Sequence, residues 1–176
     1  MNGRSVSALM LLMLSCGARA AVVDVRATGF EVKSEVLVQA PAERVYRVLI
    51  DQVGRWWNPE HTYSHDAANL HMEARPGGCF CERLPGGGGV EHLRVINLQP
   101  GRLLRLSGAL GPLQSSGLAG TLTLQLTPRG SATRVQLTYS AGGYLASGFE
   151  QIAPAVDGVL GDQIHRLQHY IETGTP

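Results

Sequence analysis

The chain has 176 residues, of which 44% are hydrophobic, and its formal net charge is +1. This length is enough for one domain with a substantial core. The near-neutral charge provides no basic field of the kind that nucleic-acid-binding domains carry, so we exclude nucleic acid as a partner.

The first twenty residues have the pattern of a secretory signal peptide. Arg4 supplies the positive start, residues 8–14 form a short apolar run, and Ala18-Arg19-Ala20 is a small-x-small cleavage site. The apolar run is much shorter than the roughly 20 residues that span a membrane, which argues against stable insertion. We therefore predict cleavage after Ala20 and a periplasmic or secreted single domain of residues 21–176. An uncleaved anchor and a lipoprotein signal at Cys16 are the alternatives.

The next segment predicts a strand followed by a helix. Residues 30–38 alternate apolar and polar side chains, which is typical of a strand with one wet face. A helix should then open near Pro41, because proline fits the first turn and Glu43 complements its positive end. Trp56 and Trp57 follow this helix, and we expect one of them in the core and the other beside a cavity.

The middle of the chain predicts a series of antiparallel strands. The clearest hairpin has alternating leucines up to residue 126, a turn at Pro128-Arg129-Gly130, and alternation again to Tyr139. The predicted strands cover residues 70–74, 79–84, 90–98, 103–107, 121–127 and 134–139. Only one face of this sheet is apolar, so another element has to cover it.

A long C-terminal helix is the predicted cover. Ser147 and Glu150 have the spacing of a capping box, apolar positions then recur with helical spacing to Ile171, and Gly174 is a suitable stop. Gly158 and Gly161 interrupt this helix at about 1 kcal/mol each relative to alanine, which suggests that they face the sheet and leave room for a cavity. A close approach of the helix to the sheet, or a locally loose helix, is the alternative. The fold class that follows is α+β, with a helix packed across one sheet face.

Four stretches together resemble one known superfamily. They are the strand that runs through Ala40-Pro41 into a helix, the pair at Arg55-Trp56-Trp57, the strand at residues 76–82 with its Pro-Gly-Gly-x-aromatic-x-Glu order, and the late hairpin. Their order over residues 30–172 resembles the START/birch-pollen-allergen (SRPBCC) superfamily, in particular its branches of heat-shock-protein-90 ATPase activators and polyketide cyclase-like proteins. The resemblance implies a helix-grip fold, in which a curved antiparallel sheet wraps around the C-terminal helix and encloses an apolar cavity.

The candidate cavity residues combine apolar side chains with a few polar ones. Polar groups inside an apolar pocket orient a ligand, and a buried His or Glu can act as an acid or base. Glu82, Glu91, His92 and Arg94 lie on neighbouring predicted strands, but strand parity leaves open which of them face inward. The predicted ligand-binding residues are Trp56, Trp57, Phe80, Glu82, His92, Leu124, Leu137, Tyr139, Val156, Gly158, Leu160 and Gly161.

The other reactive side chains do not form a recognisable centre. His61, His65 and Asp66 lie in a predicted loop without a distant ligand pair, so we predict no metal site. Cys79 and Cys81 would be about 6.5–7 Å apart on an extended strand, which opposes a bridge, and we predict free thiols. A strained bridge or an intermolecular one is the alternative. No nucleophile–base–acid order or dinucleotide fingerprint is present, so we predict no catalytic residues and no cofactor.

Three functions remain open at this stage. The first is an exported, non-enzymatic carrier of a small hydrophobic molecule. The second is an enzyme of cyclase or hydrolase type that uses inward polar residues in the same cavity, which a hydrogen-bonded His92, Glu91 or Glu82 in an enclosed pocket would favour. The third is a protein-interaction module, which an exposed apolar patch on the outer sheet face would favour.

Overall fold

The computed structural model describes residues 21–176. The predicted signal peptide, with its cleavage site after Ala20 and with Cys16, lies outside the described residues. Within residues 21–176 no helix combines the length and the apolar character that crossing a bilayer requires. The strands and α-helices, in chain order, are β1 (Ala21–Arg26), β2 (Gly29–Val38), α1 (Ala42–Asp51), α2 (Val53–Trp56), β3 (Leu70–Met72), β4 (Cys79–Arg83), β5 (Gly89–Gln99), β6 (Leu103–Ser107), β7 (Gly117–Arg129), β8 (Ala132–Tyr144) and α3 (Ile152–Thr173).

The eight strands form one curved antiparallel sheet in the order β1-β2-β8-β7-β6-β5-β4-β3. The edge strand β1 was not predicted. Its pairing with β2 shifts register between Val22 and Asp24, and Val23 is 53% exposed. This irregularity removes the alternation of side chains by which a strand is recognised in sequence.

The sheet has one buried face, as predicted, and α3 packs against it. Leu122, Leu124 and Leu126 of β7 are buried, and so are Val135, Leu137 and Tyr139 of β8. From α3, Leu160, Ile164, Leu167 and Ile171 are buried against them. The predicted α+β fold, with the terminal helix across a curved sheet, is therefore confirmed. The hairpin strands β7 and β8 are longer than predicted, at 13 residues each.

The predicted start of α3 is wrong. The helix begins at Ile152, and its N-cap Gln151 makes no side-chain capping bond, so Ser147 and Glu150 form no capping box. A helix starting at Ser147 would place Pro154 in its interior, where proline removes a backbone hydrogen bond and clashes with the preceding turn. Starting at Ile152 places Pro154 in the first turn, where its missing N–H has no intrahelical partner to lose. The predicted stop is confirmed, since Gly174 caps the helix in the left-handed conformation with φ of 85°.

The prediction of free thiols at Cys79 and Cys81 is also wrong. The structure joins them in a disulfide, with their Cα atoms 5.4 Å apart. The prediction assumed a regular extended strand, but β4 is contracted between these two residues, at a point where its pairing with β5 is irregular. The shorter Cα separation at this irregularity lies within the usual range for a disulfide.

Candidate functional site

A cavity of about 340 Å³ opens beside the first half of α3. Its walls come from the segment 57–63 after α2, the loop 110–113 between β6 and β7, and residues 152–160 of α3, with His92 contributed by β5. Apolar residues of α3 and of the loop 110–113 form the larger part of the lining, and the segment 57–63 adds the polar side chains Glu60, His61 and Thr62. Its size and apolar character are typical of sites for small organic molecules.

His92 reaches the cavity because β5 carries a bulge at this residue. On β4, Phe80 pairs with Leu93 and Cys81 pairs with Glu91, so His92 is the extra residue of β5. His92 and Leu93 are therefore both buried, at 6% and 1% exposure, although neighbours on a regular strand face opposite sides. Strand parity left open which of these polar residues face inward. The bulge turns His92 inward, whereas Glu91 and Arg94 form an ion pair on the outer face.

Glu82 holds the imidazole of His92 from behind the cavity wall. The Glu82 carboxylate is 1% exposed, and its Oε2 lies 2.9 Å from His92 Nε2. The same carboxylate accepts hydrogen bonds from the backbone N–H groups of Tyr63 and Ser64. The loop that carries Tyr63 and the strand that carries His92 are thus fixed by one buried anion.

The electrostatics of this pair assign the proton positions. Burial alone raises the pKa of Glu82, but hydrogen bonds from Ser64, Tyr63 and His92 outweigh it, and the net pKa lies below the usual value. Burial also lowers the pKa of His92, and this effect exceeds the opposing attraction of Glu82. At neutral pH the pair is therefore an ionised carboxylate and a neutral imidazole.

An ionised carboxylate can only accept, so the imidazole proton lies on Nε2 and is donated to Glu82. Among residues 21–176 no other group hydrogen-bonds to the ring of His92. Nδ1 remains as an unprotonated nitrogen of a side chain that lines the cavity. It can accept a hydrogen bond from a ligand or take a proton from one.

Aromatic side chains fix the plane of the His92 ring. The Phe80 ring lies 5.3 Å from it and the Tyr63 ring 5.9 Å, measured between centroids. Trp57 packs edge-on against Phe80 at 5.3 Å and itself lines the cavity. These contacts restrict the imidazole to one orientation, which favours a defined geometry toward a bound molecule.

The tryptophan pair is divided between core and cavity. Trp56 is buried at 4% exposure, and its indole N–H donates to the carbonyl of Val48 at 3.3 Å. Trp57 lines the cavity, and its indole N–H donates to the carbonyl of His61 at 3.2 Å. Trp57 therefore holds the 57–63 segment in the conformation that closes one side of the cavity.

Tyr139 supports the opposite wall without lining the cavity. Its hydroxyl accepts from the N–H of Leu110 and donates to the carbonyl of Gly108, both at 3.1 Å. A Cβ atom at Gly120 would lie 2.6 Å from this hydroxyl, so glycine there leaves the space that the tyrosine needs. Tyr139 is thus the anchor of the loop 110–113.

Polar contacts tie the 57–63 segment to α3. The backbone N–H of Asn58 donates to Gln163 Oε1 at 2.9 Å, and the Asn58 amide donates to Asp162 at 2.8 Å. Gln163 is 1% exposed, so the first bond satisfies a buried side chain as well as a backbone donor. These two walls of the cavity consequently move as one unit.

Several predicted site residues lie elsewhere. Among the predicted set, Trp57, His92, Val156 and Leu160 line the cavity, and Phe80 and Glu82 lie directly behind His92. Leu124 and Leu137 are buried in the sheet core, and Gly161 is buried on α3, but the cavity lining includes none of these three. Gly158 is exposed, and nothing lies within 4 Å of a Cβ built there, so its predicted orientation toward the sheet is wrong.

Two walls of the cavity were not predicted from the sequence. One is the first turns of α3, with Ile152, Ala155 and Val159, whose position depends on where that helix starts. The other is the loop Leu110-Gly111-Pro112-Leu113, in which a Gly-Pro turn is flanked by leucines. The leucines on both sides of this turn could have indicated a cavity wall, because a loop exposed to solvent does not need apolar residues.

The predicted loop residues do not assemble into a metal centre in the described part of the chain. His61 lines the cavity, but His65 and Asp66 do not join it in a cluster with metal-ligand spacing. The group with such spacing in residues 21–176 is His71, Cys79 and Cys81, on the outer face. The exposed large apolar side chains are Val23, Leu37, Tyr63, Ile96 and Tyr144. Leu37 pairs with Arg134 near the start of β8, whereas Tyr144 ends that strand, so these two lie far apart along it.

Solved structures show that this architecture is shared. The structure of CalU16 from Micromonospora echinospora has a TM-score of 0.60 at 16% identity, covering 90% of this chain and 88% of that one. A conserved protein of unknown function from Enterococcus faecalis, EF2215, has a TM-score of 0.62 at 14% identity, covering 90% and 80%. NE0264 from Nitrosomonas europaea has a TM-score of 0.60 at 17% identity, covering 82% and 95%. These identities carry the fold and no more.

No curated protein matches the chain in sequence. A family does match: its sequence pattern, described as polyketide cyclase / dehydrase and lipid transport, covers residues 29–172. This range runs from the start of β2 to the end of α3 and contains the cavity with its Glu82–His92 pair. The chain therefore belongs to the polyketide cyclase/dehydrase and lipid transport family of the SRPBCC superfamily.

Proposed function

We propose that this protein binds a small, largely apolar molecule that carries a hydroxyl or another hydrogen-bond donor. The observation behind this proposal is the neutral His92 in a largely apolar cavity, with Glu82 holding its proton on Nε2. The apolar walls favour a hydrophobic body, and the free Nδ1 selects for a donor group on it. We propose further that the protein is exported and acts as a carrier in the periplasm or outside the cell.

A matched pair of probes tests the ligand class. Naphthol should bind more tightly than naphthalene to the wild-type protein, by roughly three- to tenfold, because one neutral hydrogen bond contributes about 0.5–1.5 kcal/mol. In His92→Phe this preference should disappear while naphthalene still binds. Equal affinity of the two probes for the wild-type protein would contradict a role for Nδ1 in recognition.

A second pair of variants tests the location. Val156→Trp places an indole into the cavity and should weaken binding of both probes at least tenfold. His165→Trp is the control, since His165 is exposed on the same helix and does not line the cavity. Unchanged binding to Val156→Trp would place the ligand elsewhere.

The Glu82–His92 pair favours a second candidate, an enzyme that uses His92 as a general base. A carboxylate that orients a neutral histidine is an arrangement that supports proton abstraction, and cyclisation or dehydration of a carbonyl compound begins with loss of an α-proton. The proton would pass to Nδ1, and Glu82 would stabilise the resulting imidazolium. Exchange of α-hydrogens of a bound aromatic ketone with deuterated solvent, lost in His92→Gln, would support this function, and an absence of exchange in the wild-type protein would contradict it.

A further inference from the structure

Three side chains with soft or borderline ligand atoms meet on the outer face of the sheet. His71 of the edge strand β3 pairs directly with Cys81 of β4, and Cys79 lies two residues before Cys81 on the same side. The imidazole nitrogen and both sulfur atoms lie within 4.8 Å of one another. His71 is exposed and both cysteines are half-buried, so reagents in solution can reach the cluster.

A structural role explains the Cys79–Cys81 disulfide poorly. In the chain-entropy account, a disulfide stabilises a fold by closing a loop in the unfolded chain, and the effect grows with the length of that loop. This bridge joins two residues of the same strand, β4, only two positions apart, and the sheet already pairs that strand with its neighbours. Its contribution to folding is therefore among the smallest that a disulfide can make, which indicates a chemical use for the two thiols.

The surrounding charges leave the cluster free to bind a cation. Glu91 pairs with Cys81 across β5, and Arg94 pairs with Cys79. The Glu91 carboxylate forms an ion pair with the Arg94 guanidinium, which in turn donates to the carbonyl of Gly77 at 2.8 Å. The Glu91 and Arg94 side chains are therefore paired with each other rather than with the cluster. The ligand atoms of the cluster are its two sulfurs and one imidazole nitrogen.

We propose that the reduced protein binds a thiophilic d10 cation, Zn²⁺ or Cu⁺, through His71, Cys79 and Cys81. Both cations take thiolate and imidazole ligands; Cu⁺ accepts three, whereas Zn²⁺ takes a water molecule as its fourth ligand. A dithiol reductant opens the disulfide by thiol exchange, which yields the two cysteine thiols and the oxidised reductant. The cation then displaces one proton from each thiol, and the disulfide form has no thiolate to offer.

Anaerobic metal titration of the full chain tests the proposal. The protein is reduced with a dithiol, freed of it, and titrated with Zn²⁺ or Cu⁺ against a chromophoric chelator. We expect one tightly bound equivalent of the preferred cation, release of up to two protons, and at least tenfold weaker binding in the oxidised protein. His71→Ala should weaken binding at least tenfold, and Cys79→Ser and Cys81→Ser more, whereas His165→Ala should match the wild type.

The variants are first checked for folding by circular dichroism, and His71→Ala serves as the main test because this exposed side chain contributes little to the core. Preference for one of the two cations identifies it. The proposal is overturned if the reduced wild-type protein binds neither cation more tightly than the chelator. It is also overturned if the oxidised protein binds equally well, or if His71→Ala and His165→Ala behave alike.

Discussion

Replacing Glu82 by alanine tests how much of the local structure depends on one buried carboxylate. The side chain is 1% exposed and accepts hydrogen bonds from Tyr63, Ser64 and His92. Alanine leaves all three donors without their acceptor, and an unsatisfied buried donor costs about 1–3 kcal/mol. The two backbone donors belong to a loop that water can reach, so we take about 1 kcal/mol for each, and about 2–3 kcal/mol for His92.

The expected loss in the free energy of unfolding is therefore about 4–5 kcal/mol. Urea denaturation at pH 7, followed by tryptophan fluorescence, measures it. Glu82→Gln retains one acceptor oxygen and should lose less than Glu82→Ala. Glu91→Ala removes a carboxylate of the exposed pair with Arg94 and should change stability by no more than about 1 kcal/mol. If Glu82→Ala were as mild as Glu91→Ala, the buried hydrogen-bond network described here would be incorrect.

Four further outcomes are expected. The folded-state pKa values of His92 and Glu82 are both lowered, so the free energy of unfolding should decrease as the pH falls. The decrease should begin below about pH 6.5, where an unfolded histidine takes up its proton, and continue below about pH 4.5, where an unfolded glutamate does. In His92→Gln, urea titrations should show a free energy of unfolding that depends less on pH between pH 7 and 5. Tyr139→Phe should lose about 1–3 kcal/mol of stability and weaken probe binding, because the loop 110–113 loses its anchor. Gly158→Ala should raise the free energy of unfolding by up to about 1 kcal/mol without changing probe binding, since the position is exposed and helical. Weaker probe binding would contradict the placement of Gly158 away from the cavity. Intact mass of exported protein should begin at Ala21, and a mass that retains residues 8–14 would refute the predicted cleavage.

The fold was largely predictable because it rests on regular patterns. Apolar residues alternate from Leu122 to Tyr139 and recur with helical spacing up to Ile171, and most of these apolar positions are buried in the structure. Helix starts are less regular, and two signals competed for α3. The spacing of Ser147 and Glu150 suggested a capping box, but Pro154 excludes a helix that begins there. A steric restriction of the backbone outweighs the gain from a side-chain cap.

The site was less predictable because it lies where regular patterns stop. Strand parity could not show whether His92 faces inward, since the bulge changes parity at that residue. Beside the same irregularity, Cys79 and Cys81 lie closer together than two such residues of an extended strand do. Two of the cavity walls are loops held by a few side-chain hydrogen bonds, such as those of Tyr139, and such bonds leave no periodic signal in the sequence.

The bulge in β5 also bears on how such a site can arise during evolution. His92 occupies an added position, and Leu93 keeps its place in the core beside it. Insertion of a single codon could thus supply a polar group to the cavity without removing any apolar side chain on which folding depends. Later changes at that codon would alter the chemistry of the cavity while selection for stability acted on its neighbours. A fold with this property can acquire, exchange and lose activities at little risk to its own integrity.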